Sequence, residues 1–288
     1  MEIKKVGVVG CGLMGAGIAQ SCAQSGYQVV VSEINEELLN KGLGMIKTQL
    51  AKSVEKGKLA KEDEVAILGR LKGTTNIEDF ADCDVVVEAV VENMELKKKV
   101  FADLDRICPA HAVLGTNTSC LSVTEIAMAT KRPDQVIGTH FFNPVPVMKL
   151  LEVVTTIVSS EETLNTVKSF GESLGKTVIT AKDTPAFIVN RLLTPLMLEA
   201  IRMLEAGLAT REDIGNGMVL GLNHPMGPLT LADFVGLDTM FYITEAMYAE
   251  TKDPKFAAPL LLKRMVTAGH LGRKTGKGFY EYTRLAAS

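Results

Sequence analysis

The run Val6-Gly7-Val8-Val9-Gly10 leads straight into Cys11-Gly12-Leu13-Met14-Gly15, so an apolar, β-branched stretch meets a G-x-G-x-x-G that opens a helical segment. A run apolar on both faces has to be buried on both sides, as the strands of a parallel sheet are. Helical spacing over 13–25 follows, with Gly26 placed to end it at C′, and 27–32 is a second buried strand. Residues 35–70 are long, charged and helical, broken near Gly57; that exceeds an ordinary crossover and predicts an inserted helical pair. Further apolar strands are predicted at 84–91, 113–116 and 136–142, then at 150–155 and 177–180 around a helix over 161–174. Strands alternating with helices predict an α/β fold, a Rossmann-type doubly wound parallel sheet.

The pattern changes at Thr184-Pro185. Beyond it Leu192, Leu193, Leu196, Met197, Ala200, Ile201 and Leu204 share one broad helical face. No strand is expected again before the short tail at 278–282. The domain reading is therefore 1–184 for the sheet domain and 185–288 for a smaller all-α domain.

The glycines have a chemical reading in this context. They permit the tight turn, the close approach of a pyrophosphate and close helix–strand packing, while the helix N-terminus offers N–H donors to the phosphate. Gly10, Gly12, Leu13, Met14 and Gly15 are the predicted contacts. Glu33, at the end of the second strand, would accept from the ribose hydroxyls of NAD and repel a 2′-phosphate, and Ile34 and Asn35 supply no cation for that phosphate. The alternative for Glu33 is an acid at a helix N-terminus. NAD is the expected cofactor.

The composition excludes several classes. A chain of 288 residues, 47% apolar and 23% charged, is that of an ordinary globular protein of about two domains. A formal net charge of −3 gives no reason to expect nucleic acid or an anionic membrane as partner. No apolar run approaches the ~20 residues of a membrane helix, and the first begins at Val6, leaving no room for a leader. Cys11, Cys22, Cys83, Cys108 and Cys120 form no metal-like spacing, so no metal is expected and reduced thiols in the cytoplasm fit best.

The stretch Thr139-His140-Phe141-Phe142-Asn143-Pro144 carries a histidine into an apolar run, and Glu152 stands alone in another. Together with Val91-Glu92-Asn93, Asn117-Thr118-Ser119, Asp183-Thr184-Pro185-Ala186-Phe187, Asn223-His224-Pro225-Met226-Gly227 and Gly272-Arg273-Lys274-Thr275-Gly276, these motifs resemble the 3-hydroxyacyl-CoA dehydrogenase family over essentially the whole chain. The resemblance implies NAD-dependent interconversion of (S)-3-hydroxybutyryl-CoA and acetoacetyl-CoA by a homodimer joined through the helical domain. It implies that His140 and Glu152 are a catalytic pair, with imidazole taking the alcohol proton and the carboxylate fixing its tautomer. It also assigns Ser119 and Asn190 to the substrate, where spacing alone also allows helix caps, and Glu92, Lys97, Ser119, Asn143 and Lys274 to the cofactor. Lys97 can equally be part of the solvated run Lys97-Lys98-Lys99, and Cys120 stands where the family usually has a second serine. Lys52 and Lys56, four apart on one helix face, are candidate contacts for coenzyme A or simply a solvated face. His111, His224 and His270 show no carboxylate partner and are read as structural. The competing classes are a β-hydroxyacid dehydrogenase, which would use a lysine instead of the His140–Glu152 pair, and a non-catalytic NAD-binding sensor or crystallin-like member.

Overall fold

The computed structural model describes residues 2–282 and divides into two units, Met1–Thr184 and Pro185–Ser288. In the first unit the apolar runs form strands. β1 (Lys5–Val9), β2 (Gln28–Ser32), β3 (Leu71–Thr74), β4 (Val85–Glu88), β5 (Val113–Thr116), β6 (Val136–Phe141), β7 (Leu150–Thr155) and β8 (Thr177–Lys182) make one sheet in the order β3-β2-β1-β4-β5-β6-β7-β8. The helices of this unit are α1 (Leu13–Gln24), α2 (Glu36–Glu55), α3 (Lys61–Gly69), α4 (Met94–Ile107), α5 (Val123–Ala127) and α6 (Glu161–Ser173).

Strand pleating divides the apolar residues between two cores. Val6, Val8, Val29, Val31, Val85 and Val87 face the layer that includes Ile18, Ile46 and Phe170. Val9, Val30, Val86 and Leu114 face the layer of Phe80, Phe101 and Leu104. Burying each such side chain contributes about 1.5–3 kcal/mol, so reversing a strand's register would move a whole row into the wrong layer.

Two features differ from the sequence expectation. The inserted pair α2 and α3 ends in β3, an edge strand that the pattern does not reveal, because Leu71-Lys72-Gly73-Thr74 has one large apolar residue in four. The sheet is also not wholly parallel: β7 runs antiparallel to β6, and β8 parallel to β7. The reason is chain length, since the loop from β6 to β7 is shorter than the dozen or so residues that a parallel crossover requires. That loop contains a cis peptide at Asn143–Pro144.

The second unit contains α7 (Val189–Glu205), α8 (Arg211–Leu222), α9 (Pro228–Val235), α10 (Leu237–Thr251) and α11 (Leu260–Thr267). Its core joins Leu198, Ile201, Leu229, Leu237 and Leu262, all fully buried. The tail expected as a strand forms only isolated bridges, Gly272 with Lys277 and Lys277 with Glu281. It is held by the buried Asp233, whose carboxylate accepts from Phe279 N and Tyr280 N at 2.9 Å each.

Candidate active site

The glycine loop lies at the carboxyl end of β1, between β2 and β4, where the strand order reverses. That is the switch point at which open α/β sheets bind ligands. Gly10 has φ +96°, the left-handed region that favours glycine, and a Cβ on Gly15 would overlap the carbonyl oxygen of Gly10. Gly12 meets open space and is the N-cap of α1, with no side chain closing the first turn. The first N–H donors of α1 are thus left for an anion. A cleft of about 400 Å³ adjoins them, lined by Val9, Gly12, Glu33, Ile77, Val91 and Leu96 among others. Leu13 is exposed and Met14 half-buried beside it.

Glu33 is not a helix cap, because Asn35 caps α2 by accepting from Leu38 N at 2.9 Å. Glu33 instead accepts from Cys11 N at 3.1 Å and Ile34 N at 2.9 Å. It ties the end of β2 to the glycine loop, and its oxygens keep further lone pairs for a diol. These residues fit a dinucleotide: a turn open to phosphate, apolar walls for an aromatic base and an acid for ribose.

Further along the same sheet edge, the antiparallel register sets His140 directly opposite Glu152. His140 Nδ1 lies 2.6 Å from Glu152 Oε2, with the two residues 4% and 0% exposed. Glu152 as carboxylate accepts Nδ1–H and leaves the lone pair on Nε2. Ser119 Oγ lies 3.2 Å from that nitrogen. Ser119 is not the cap of α5; Ser122 is, accepting from Glu125 N at 3.2 Å. Asn117 Oδ1 accepts from Phe141 N at 2.9 Å and so anchors the loop after β5 to β6.

Lys97 does not belong to a solvated run. It is 1% exposed, with Nζ 2.7 Å from Glu88 Oε1 and 3.3 Å from Glu92 Oε2. The carboxylate of Glu92 also accepts from Thr118 Oγ1 at 2.5 Å and Ser119 N at 2.9 Å. Burial raises the Glu92 pKa, but Lys97, the Thr118 hydroxyl and the Ser119 N–H outweigh it and hold the carboxyl below its usual range. Cys120 Sγ approaches Glu92 Oε1 at 3.7 Å. Its thiol is pushed up to about 12, chiefly by burial and then by the Glu92 charge. It therefore remains a neutral donor in the place of a serine.

Two residues in this region escaped the sequence reading. Glu88 reads as the polar end of an apolar strand, yet it is fully buried. Lys176 reads as an ordinary cation at the end of a helix, but its Nζ is inside, donating to Val145 O at 2.6 Å and Met148 O at 2.7 Å. It pins the loop bearing Asn143, which is exposed and lines a cavity of about 30 Å³ with Leu13 and Gln20. His111 is a further correction: its Nε2 pairs with Asp84 Oδ1 at 3.0 Å, just before β4. The pairing invisible in sequence arises because strand starts distant in the chain are neighbours in the sheet.

Lys52 and Lys56 are exposed at the end of α2, and neither forms an ion pair among the described residues. Asn190 and Lys274 belong to the second unit. Asn190 is the second residue of α7, whose N-cap is Ile188, so it is not a cap. Lys274 Nζ is paired with Asp238, 2.5 Å away.

A sheet edge that can bind a dinucleotide and hold a proton on a carboxylate-backed imidazole defines a pyridine-nucleotide dehydrogenase acting on an alcohol or carbonyl. The comparisons narrow the class. Residues 5–184 match the NAD binding domain of 3-hydroxyacyl-CoA dehydrogenase and 187–282 its C-terminal domain. The chain belongs to the 3-hydroxyacyl-CoA dehydrogenase family and is an NAD-dependent oxidoreductase. It is 49% identical over 278 residues to a probable 3-hydroxybutyryl-CoA dehydrogenase of Deinococcus radiodurans, covering 96% of this chain and 100% of that one. It is 46% identical over 282 residues to a probable 3-hydroxybutyryl-CoA dehydrogenase of Bacillus subtilis, covering 98% of each. The crystal structure of (S)-3-hydroxybutyryl-CoA dehydrogenase from Ralstonia eutropha superposes with a TM-score of 0.95 at 44% identity, over 98% of this chain and 100% of that one.

Proposed function

We propose that the protein interconverts (S)-3-hydroxybutyryl-CoA and acetoacetyl-CoA, with His140 as general acid and base. The observation that carries this reading is the line Glu152–His140–Ser119, at 2.6 and 3.2 Å, with the first two residues buried and Ser119 half-buried. When bound, NAD supplies the acceptor for the hydride that leaves C3. His140 Nε2 takes the C3 hydroxyl proton in oxidation and returns it in reduction. Glu152 stabilises the imidazolium that results, and its low-polarity setting enlarges the effect. The Ser119 hydroxyl holds the substrate oxygen at the same nitrogen, while the substrate role of Asn190 rests on the family resemblance alone. By the family resemblance Lys274 is assigned to the cofactor too, which Glu92, Lys97 and Asn143 serve. Lys97, shared between two carboxylates, does so through Glu92 and the Ser119 backbone rather than as an independent cation.

The substrate class follows from the family and from the relatives' names, supported by the absence of a lysine at the imidazole's place, which a β-hydroxyacid dehydrogenase would use. We also read the first unit as the cofactor domain and the second as the dimerisation domain. Supporting this, Leu192, Leu208, Leu220 and Leu222 of the second unit are 64–82% exposed in the single chain. Five free, buried cysteines fit a reducing cytoplasm, and no helix among the described residues is long and apolar enough to cross a membrane.

The test is NADH oxidation with acetoacetyl-CoA, with longer 3-oxoacyl-CoA thioesters and with free acetoacetate. Turnover with the thioester and little with the free acid is expected. Equal use of the free acid would overturn the coenzyme A reading, and no NADH oxidation with any of them would return the chain to the non-catalytic class. A native mass of one chain would refute the dimer.

A further inference from the structure

Glu88, the last residue of β4, is 0% exposed, and the function proposed above gives it no task. Both its carboxylate oxygens are engaged. Oε1 accepts from Val90 N at 2.7 Å and lies 2.7 Å from Lys97 Nζ, while Oε2 accepts from Thr116 Oγ1 at 2.8 Å. Its carbonyl accepts from Asn117 N at 2.8 Å. Lys97 then reaches Glu92, Glu92 reaches Thr118 and the Ser119 backbone, and Ser119 reaches His140. Glu88 thus grips the Ser119 loop twice: directly at its root, Thr116 and Asn117, and through Lys97 and Glu92 at its tip.

Glu88 and Glu92 share Lys97 Nζ in this cluster, so several polar groups are taken out of water beneath the loop. Apolar side chains could fill the end of a buried strand without that desolvation cost, and replacing buried ion pairs with packed hydrophobic groups is often neutral or stabilising. The cluster's value therefore lies in where it holds its members. We propose that Glu88 is a positioning residue: by fixing Lys97 Nζ it keeps Glu92 clamped on the 118–119 backbone and so keeps Ser119 Oγ on His140. The proposal rests on the dehydrogenase reading.

A double-mutant cycle tests it with the full chain. Glu88→Gln keeps the shape and removes the charge that fixes Lys97; Ser119→Ala removes the group being positioned. Steady-state NADH oxidation with acetoacetyl-CoA is measured for both variants and their combination, with melting curves to establish folding. Glu88→Gln should lower kcat about tenfold, the scale of a coupling between residues of one network. In the Ser119→Ala background it should cost less than about twofold, since there is no hydroxyl left to misplace. A purely structural role would give the same loss in both backgrounds, and that outcome, or an unchanged kcat for a folded Glu88→Gln, overturns the proposal. Should Glu88→Gln fail to fold, Glu88→Asp, which keeps the charge but sets it one methylene further from Lys97, goes through the same cycle under the same criteria. The wild-type rate and the loss on His140→Ala report separately on the dehydrogenase reading, so Glu88 can be refuted while that reading stands.

Discussion

A histidine and a glutamate buried together are costly singly and useful as a pair. Uncompensated, either charge would carry a large desolvation penalty; at 2.6 Å each satisfies the other, which is the arrangement an acid–base pair needs. His140→Ala should reduce kcat by roughly 10²–10⁴-fold while the NADH dissociation constant, read by fluorescence titration, changes little. Glu152→Gln should also be severe, because the imidazolium loses its counter-charge. Near-normal turnover without His140 would refute the assignment. Glu92 lends itself to a pH test. Its folded pKa is below the 4.5 of an ordinary glutamate, so it contributes stability that is fully present above 4.5 and lost as pH falls through the lower folded value. The gap in Tm between wild type and Glu92→Gln should be widest above that pH and narrow on acidification. A constant gap from about pH 6 to about pH 3 would show that Glu92 is not held by Lys97 and the loop as described.

Among the elements, α2 packs directly against the glycine loop. It approaches so closely at Gly42 that a Cβ there would overlap the Cys11 carbonyl oxygen and sulfur, whereas Gly44, two residues on, faces open space. Gly42→Ala should therefore cost about 1–3 kcal/mol, the usual cost of overpacking, and weaken NADH binding by displacing the turn. Gly44→Ala should be neutral or slightly stabilising, because alanine is the better helix former by up to ~1 kcal/mol. Equal effects at the two positions would mean that α2 can shift without disturbing the loop. The contrast cannot be read from the sequence of α2, in which both glycines stand in the same charged helical stretch. Cys11, the contact that makes it, is elsewhere in the chain.

For the molecule as a whole, the proposed acyl-CoA substrate is much larger than its reacting carbons and calls for contacts away from C3. Lys52 and Lys56 are exposed and without ion pairs among the described residues, as cations awaiting phosphates would be. Replacing both with alanine should raise KM for acetoacetyl-CoA with little change in kcat, since the contact is the same in ground and transition states. The wild-type KM should rise with salt and that of the double variant should rise less, because exposed charge attraction is screened. Indistinguishable KM curves against ionic strength would reduce the pair to a solvated helix face.

What the sequence determined by itself was local or periodic. A strand ending in G-x-G-x-x-G before a helix implies its turn through steric rules that act over a few residues, and apolar runs between helical stretches imply a layered α/β domain. His140 and Glu152 stood out for the same reason, since an apolar run tolerates either only if something satisfies it, but that the two form a pair came from the family resemblance. Tertiary structure decided what depends on pairing between distant segments. The short loop after β6 forced the antiparallel register that sets His140 opposite Glu152. The fold turned Lys97 of α4 back onto Glu88 and Glu92, out of a run of three lysines that looks solvated, and set β5 beside β4 so that Thr116 meets the same Glu88. It also formed β3, too short and too polar to announce itself, as the edge of the sheet. Helical period puts Lys97 on one face with Phe101 and Leu104, but that this face is buried, and which carboxylates meet the lysine there, was decided by the fold.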